Sequence, residues 1–249
     1  KSPVYEIPEG TRVARGRGLL NFLEISPQER VLSLFPLGRQ DLDLGIKYLV
    51  MATQSGIIKK TALSAYSNQR KTGIIAITLE KGDELIEAGI TDGKRELMLL
   101  TRQGKAIRFP EEQAREVGRS ARGVRGIRLG KGDEIIAMVL AKPDAELLTV
   151  TALGFGKRSP VDEYRLQSRG GKGIINIRVP KKTGEVIGAK MMTDTHELML
   201  ISQDGMMVRC AVKDVRSTGR AAQGVRLINI KGKDRVASVA KVAPKDEDN

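Results

Sequence analysis

The residues best placed to do chemistry lie in Gln167-Ser168-Arg169-Gly170-Gly171-Lys172-Gly173, where two cations and three glycines share five consecutive positions. Glycine permits backbone conformations and close approaches that a side chain forbids, and Arg and Lys put charge at the same point. The chemistry this supports is recognition of a polyanion, with Gln167, Arg169, Gly170, Gly171, Lys172 and Gly173 as candidate contacts. Catalytic alternatives lack their constellations. His196, the single histidine, has no Cys or second His as co-ligand and reads as a surface or capping residue. Gly171-Lys172 is followed by Gly173 rather than Ser or Thr, so it is no nucleotide-binding loop. Gly16-Arg17-Gly18 and Gly154-Phe155-Gly156 lack the third glycine of a dinucleotide fingerprint. The lone Cys210 reads as a packed thiol. The chain is therefore expected to be non-catalytic, without cofactor or metal.

The elements that must position this loop recur along the chain. Four segments align: Tyr48 to Thr61, Glu96 to Phe109, Glu146 to Ser159 and Glu197 to Cys210, each an apolar run, a glycine (Gly56, Gly104, Gly154, Gly205) and a second run carrying cations. Each reads as a β-hairpin. A second glycine follows about fifteen residues later, at Gly73, Gly123, Gly173 and Gly224, opening runs such as Ile-Ile-Ala-Ile-Thr-Leu that read as further strands. Turns such as Lys81-Gly82-Asp83 then lead into another apolar run. The unit is four strands over about fifty residues, with an earlier copy visible from Gly18 to Leu37.

An all-β period of that length predicts a propeller-like array of four-stranded antiparallel blades, each burying its faces against its neighbours. One domain over 1–243 is expected, with a partial first blade at 1–37, further blades at 38–90, 91–140, 141–192 and 193–243, and a polar tail at 244–249. Arg39 to Gly45 reads as a surface loop inserted in the second blade, and Lys1 to Ile7 as the last strand of a hairpin whose partner would precede it. Tyr66 and Tyr164, in equivalent places, read as packing residues.

The charges are phased with the repeat. They gather between the hairpin and the next strand, at Arg12, Arg15 and Arg17; Arg70 and Lys71; Arg115, Arg119, Arg122 and Arg125; Arg165, Arg169 and Lys172; Arg216, Arg220 and Arg226. They gather again after the hairpin glycines, at Lys59 and Lys60, Lys105 and Arg108, Lys157 and Arg158, and Arg209. Equivalent positions on successive blades predict a ring of positive charge. Among 249 residues, 43 Lys and Arg against 30 Asp and Glu give a formal charge of +13. An anionic partner is expected, nucleic acid or an anionic membrane surface. With aromatic residues at 3% and no Trp, platforms for stacking single-stranded bases are disfavoured, and duplex phosphate is the better target. No apolar run could span a bilayer and no signal-peptide pattern opens the sequence, so a soluble intracellular chain is expected. A basic rim of this kind suits sequence-independent bending of duplex DNA. A propeller-type protein-interaction scaffold is the alternative.

The fifty-residue repeat, the segment from Tyr164 to Gly173, and the Gly-Arg/Arg-Gly-Val-Arg pattern at Gly118 to Arg125 and Gly219 to Arg226 resemble the C-terminal domain of the bacterial DNA gyrase A subunit over nearly the whole chain. The resemblance implies a six-bladed β-pinwheel, whose neighbouring blades exchange strands. It also implies chiral wrapping of duplex DNA around the rim and presentation of a segment to the cleavage core for ATP-dependent negative supercoiling. The partners it implies are duplex DNA, the N-terminal cleavage domain of the same polypeptide, and the ATPase subunit of a heterotetrameric holoenzyme, in the bacterial cytoplasm. The isolated chain is expected to be a monomer. The family's heptapeptide box, Gln-Arg/Lys-Arg-Gly-Gly-Lys/Arg-Gly, is matched by Gln167 to Gly173 except at Ser168. In the family the box belongs to the first blade, which would place that copy before Lys1 and make this chain a partial domain. The C-terminal domain of topoisomerase IV, which shares the blades but carries degenerate boxes, is the competing member.

Overall fold

The computed structural model describes residues 7–9, 18, 26, 28–38, 47–67 and 73–242. Its strands are β1 (Tyr48–Thr53), β2 (Ile57–Ala62), β3 (Leu85–Thr91), β4 (Glu96–Thr101), β5 (Lys105–Pro110), β6 (Val124–Arg125), β7 (Ile135–Leu140), β8 (Glu146–Thr151), β9 (Phe155–Pro160), β10 (Ile174–Ile175), β11 (Val186–Met192), β12 (Glu197–Ser202), β13 (Met207–Ala211), β14 (Val225–Arg226) and β15 (Val236–Val242). Among the described residues the helical pieces are single 3-10 turns, one after each hairpin, at Leu63–Tyr66, Glu111–Gln113, Val161–Glu163 and Val212–Asp214.

The hairpins form where the sequence places them, and for a local reason. Each glycine sits at positive φ, from 80° to 87°, and its N–H donates to the carbonyl of Thr53, Thr101, Thr151 or Ser202 three or so residues back. A residue in the left-handed region closing such a turn is the three-residue hairpin geometry that glycine favours. The Thr or Ser hydroxyl at the same position then accepts the N–H of Ile57, Lys105, Phe155 or Met206.

Sheet order is β3-β1-β2-β6, then β10-β5-β4-β7, then β11-β8-β9-β14, then β13-β12-β15, and the pairings within them are antiparallel. The fourth strand of each complete sheet does not come from its own unit. β6, which follows the β4–β5 hairpin in the chain, pairs back onto β2 of the preceding unit, as β10 does onto β5 and β14 onto β9. The reading of each repeat as its own four-stranded sheet is corrected accordingly, while the strand exchange that the resemblance implies is borne out: the fold is an all-β pinwheel.

The exchanged strands are also shorter than the apolar runs suggest. Only two residues of each join a ladder; the next N–H, of Gly126, Asn176 or Leu227, bonds the hairpin glycine carbonyl, and the chain then leaves the ladder. The apolar residues beyond serve packing, because Ile127, Ile177 and Ile228 are at most 2% exposed. Residues 74–79 carry no ladder at all; the hairpin that the repeat would offer them belongs to the preceding unit, outside the described residues. Also outside them lie Lys1–Glu6, Arg39–Gly45 and the tail 244–249.

The core is partitioned between sheets. Leu97 and Leu99 of β4 face the first sheet with Val50, Ile58 and Phe109, while Met98 and Leu100 face the third with Leu147 and Tyr164. A third cluster joins Leu148 and Val150 to Leu198 and Leu200. A strand covered on both faces needs apolar side chains at nearly every position, which is why the first strand of each hairpin reads as a continuous apolar run rather than an alternating one. Innermost strands β3, β7, β11 and β15 surround a narrow cavity lined by Glu87, Ala137, Gly188 and Ser238, leaving the exchanged strands outermost.

Candidate nucleic-acid interface

The box loops are excursions pinned at both ends to the preceding hairpin. At the first end, the N–H groups of Val117, Gln167 and Thr218 donate to the carbonyls of Lys60, Arg108 and Arg158. At the second end stand the two-residue ladders. Between them the box glycine must pass flat against a strand: Gly173 has φ +67°, and a Cβ there would stand 2.7 Å from the Ala106 carbonyl oxygen; Gly224, at φ +83°, would stand 2.4 Å from that of Gly156. Both the torsion and the approach demand glycine. The repeated glycine is therefore a docking requirement of the exchanged strand.

The two halves of the expected ring of charge separate here. Arg125 and Lys172 are exposed and make no side-chain hydrogen bond among the described residues. Arg122 is exposed and pairs with Glu80 at 2.8 Å, both side chains about two-thirds exposed. Arg226 lies over the Phe155 ring, 5.1 Å from its centroid, with Nη1 donating to Asn229. Arg119, Arg169 and Arg220 are half-buried. Gln167 holds its N–H against Arg108, and its buried amide nitrogen has no partner among the described residues. Gly170 donates its N–H to Gly126 and Gly171 accepts from Arg128. Arg12, Arg15, Arg17, Arg70 and Lys71 lie outside the described residues.

Most of the second half of the ring is turned inward, although Arg209 is exposed. Lys59 and Lys157 are fully buried in β2 and β9. Lys59 Nζ donates to the Ala76 carbonyl at 2.6 Å and also to that of Arg119, and Lys157 Nζ donates to the Ser159 hydroxyl. Lys60 is buried, donates to the Glu111 carbonyl and lies over the Tyr48 ring. Arg158 bonds Glu146, Asp194 and the carbonyls of Val215 and Lys213. Arg108 repeats the pattern with Glu96 and the carbonyls of Val161 and Tyr164. For Lys60, Arg108 and Arg158 the acceptor carbonyls belong to the 3-10 turn of the next unit or its immediate end. The expectation that Lys59, Lys60, Lys157 and Arg158 face a polyanion is thus corrected: all four are buried, and Lys60 and Arg158 dock the turn of the next unit.

Burial lowers Lys157 from the usual lysine range to about 8, with Glu163 opposing the shift and Arg220 adding to it. Burial, then the Arg119 guanidinium, does the same for Lys59, also to about 8. Tyr164, buried and donating to Asn176 Oδ1 at 2.5 Å, is pushed up by burial and stays neutral. For a lysine whose folded value lies below its unfolded one, the unfolded chain binds the extra proton between the two, so stability rises with pH across that window. Below about 8 the fold bears the full cost of a buried ammonium. Replacing Lys157 with Met therefore stabilises the chain most near neutral pH, and the gain shrinks toward a pH of about 10. Denaturation midpoints of both proteins across that range test this; a gap that stays constant or widens contradicts it. Ser159 keeps a partner in the variant, because its hydroxyl donates to Thr218 O.

Two exposed cations escaped the sequence reading. Arg128 and Arg178 stand at equivalent places just past the exchanged strands, but within runs read as ladder residues, where a cation carries no signal of facing solvent. His196 does cap a turn, accepting the Thr193 N–H at Nδ1. Among the described residues no group of three or more His, Cys, Asp or Glu could hold a metal, and no helix is long and apolar enough to cross a membrane.

Residues 47–92, 95–142, 145–191 and 196–243 each match a family model described as DNA gyrase C-terminal domain, beta-propeller. The chain is 43% identical over 248 residues to the DNA gyrase A subunit of Clostridium acetobutylicum, covering 100% of the chain and 30% of that protein. It is 51% identical over 244 residues to the DNA gyrase A subunit of Halalkalibacterium halodurans, covering 98% and 29%. The chain thus spans about three tenths of the curated relatives it matches. Among solved structures, the C-terminal domain of DNA topoisomerase IV superposes with a TM-score of 0.85 at 28% identity, over 92% of this chain and 71% of that one. The DNA gyrase A C-terminal domain gives 0.80 at 26%, over 92% and 76%.

Proposed function

Because the chain belongs to the DNA gyrase C-terminal domain family, we propose that it binds, bends and chirally wraps duplex DNA along its outermost strands, without sequence specificity. The observation that carries this reading is a line of exposed cations at repeat-related places on or beside β6, β10 and β14: Arg122, Arg125, Arg128, Lys172, Arg178 and Arg226. Contacts of this kind act through counterion release, and many of them offset the cost of bending the duplex. Within a complete gyrase the wrapped segment is presented to the cleavage domain of the same polypeptide and, with the ATPase subunit, passed for negative supercoiling in the bacterial cytoplasm. The chain itself carries no catalytic role in this scheme. A topoisomerase IV role is the second reading, favoured by the structural match to that domain. The nearly intact box at Gln167 to Gly173 and the 51% identity to a gyrase relative favour gyrase.

The test is salt dependence on a short duplex. Replacing Lys172, Arg125 or Arg226 with Ala reduces the slope of log K against log salt by about 0.9 for each phosphate no longer neutralised, whereas the same change at buried Lys157 leaves the slope alone. An unchanged slope in all three exposed variants would count against the proposed interface.

A further inference from the structure

Resting on that wrapping reading, we propose that Arg119, Arg169 and Arg220 are positioning residues that fix the spacing between successive box loops, and are not phosphate contacts. The three occupy one place in the repeat, four residues before Gly123, Gly173 and Gly224. Each guanidinium turns back along the array. Arg119 Nη1 donates to the Ile75 carbonyl at 2.9 Å, Arg169 Nη1 to that of Arg125 at 3.0 Å, and Arg220 Nη1 to that of Ile175 at 2.8 Å. The acceptors are equivalent too, each two residues past the box glycine of the preceding unit.

A main-chain bond runs beside each of these links. The N–H groups of Thr78, Arg128 and Arg178 donate to the carbonyls of Ala121, Gly171 and Ala222. Arg169 binds most extensively, with Nε donating to the Gln113 carbonyl at 2.7 Å and its own N–H to Gln113 Oε1 at 2.8 Å. Consecutive loops are therefore joined at the same atoms each time, by one side chain and one peptide.

The consequence for DNA follows from which residue is held. Arg169 grips the carbonyl of Arg125, whose own side chain is exposed, and Lys172 stands three residues further along the gripping loop. The staple thereby sets how far apart the cations of neighbouring units stand. A short duplex can be held by the cations of one loop, so the staple matters little to it. A wrap must be tracked across several units, so slack between loops has to be removed on binding, at an entropic cost. Lysine cannot substitute: it keeps the charge but loses the planar fork that reaches Gln113 and Arg125 together.

The experiment compares Arg169→Lys, Arg169→Ala and Lys172→Ala in the whole 249-residue chain. It reads short-duplex salt slope, topoisomer shift on a relaxed circular plasmid, and amide exchange at Arg128. The expected result is that both Arg169 variants keep the wild-type salt slope, lose most of the topoisomer shift and exchange the Arg128 amide faster, with Leu99 still protected as a fold control. Lys172→Ala lowers the slope and leaves Arg128 exchange unchanged. A slope in Arg169→Ala reduced by about 0.9, the amount one neutralised phosphate supplies, would overturn the proposal. So would an Arg169→Lys protein with wild-type shift and wild-type Arg128 exchange. If the unmodified chain gives no shift, the wrapping reading fails by itself, and Arg128 exchange with the salt slope still decides the staple.

Discussion

Arg158→Ala costs the chain about 3–5 kcal/mol of stability, whereas Arg209→Ala, the same substitution at the equivalent position one unit later, costs about 0–1 kcal/mol. The two arginines face the same strand partner type, Glu146 and Glu197. They differ in what lies beyond. The Arg158 side chain is 10% exposed and bonds the Val215 carbonyl at 2.7 Å and Asp194, so its loss leaves Glu146 with only the Ser217 hydroxyl and the carbonyls of the next unit's turn without their side-chain donor. Arg209 is 40% exposed, pairs with Glu197, and among the described residues has no following unit to dock. Urea unfolding of the two variants measures the difference. Equal costs would mean that the repeated cation is a solvated charge and that docking of the 3-10 turn comes from packing alone.

That contrast also shows why half of the charge pattern was misleading. A residue type that recurs at one place in a repeat reports a recurring environment, and repetition does not say whether that environment is water or the neighbouring unit. Positions 60, 108, 158 and 209 carry Lys, Arg, Arg and Arg, which reads as a ring, yet the first three hold the next unit in place. A signal against exposure was present one residue earlier: Lys59 and Lys157 alternate through the repeats with Ile107 and Val208, so the position faces inward, and all but Val208 are fully buried. The partner positions two residues on follow suit in size. Phe109 accompanies Ala114, while Thr61 and Ser159 accompany Tyr66 and Tyr164, so that ring and small residue trade places between units while the inter-sheet volume is kept.

The hairpins were legible because their turn chemistry is local: a Thr or Ser, a glycine and two apolar strands within fourteen residues. The exchanged strands were not, because the partner of Val124-Arg125 is Ile57-Ile58, some sixty-six residues earlier, and nothing in the run itself says that the ladder stops after two pairs. The exposed cations past that stop, Arg128 and Arg178, were hidden by the same error. Tyr66 and Tyr164 were read correctly as packing residues, since both are buried and donate their hydroxyls, to the Ala76 carbonyl and to Asn176.

The largest effect expected on DNA is topological. A circular plasmid relaxed by a nicking-closing enzyme in the presence of this chain, then freed of protein, carries a shift toward positive linking difference. The shift collapses with salt, because a protein making six to ten phosphate contacts loses about 10³–10⁵ in affinity between roughly 50 and 200 mM salt. Exposed cations alone would give binding and salt dependence without a shift; the shift requires that cations on successive units lie along one chiral path, which the wrapping proposal assigns to the loops beside β6, β10 and β14. Topoisomer distribution across a salt series is therefore the most direct measurement. A salt-sensitive positive shift is the predicted result, and an unshifted distribution at salt concentrations where the chain still binds the plasmid would contradict wrapping.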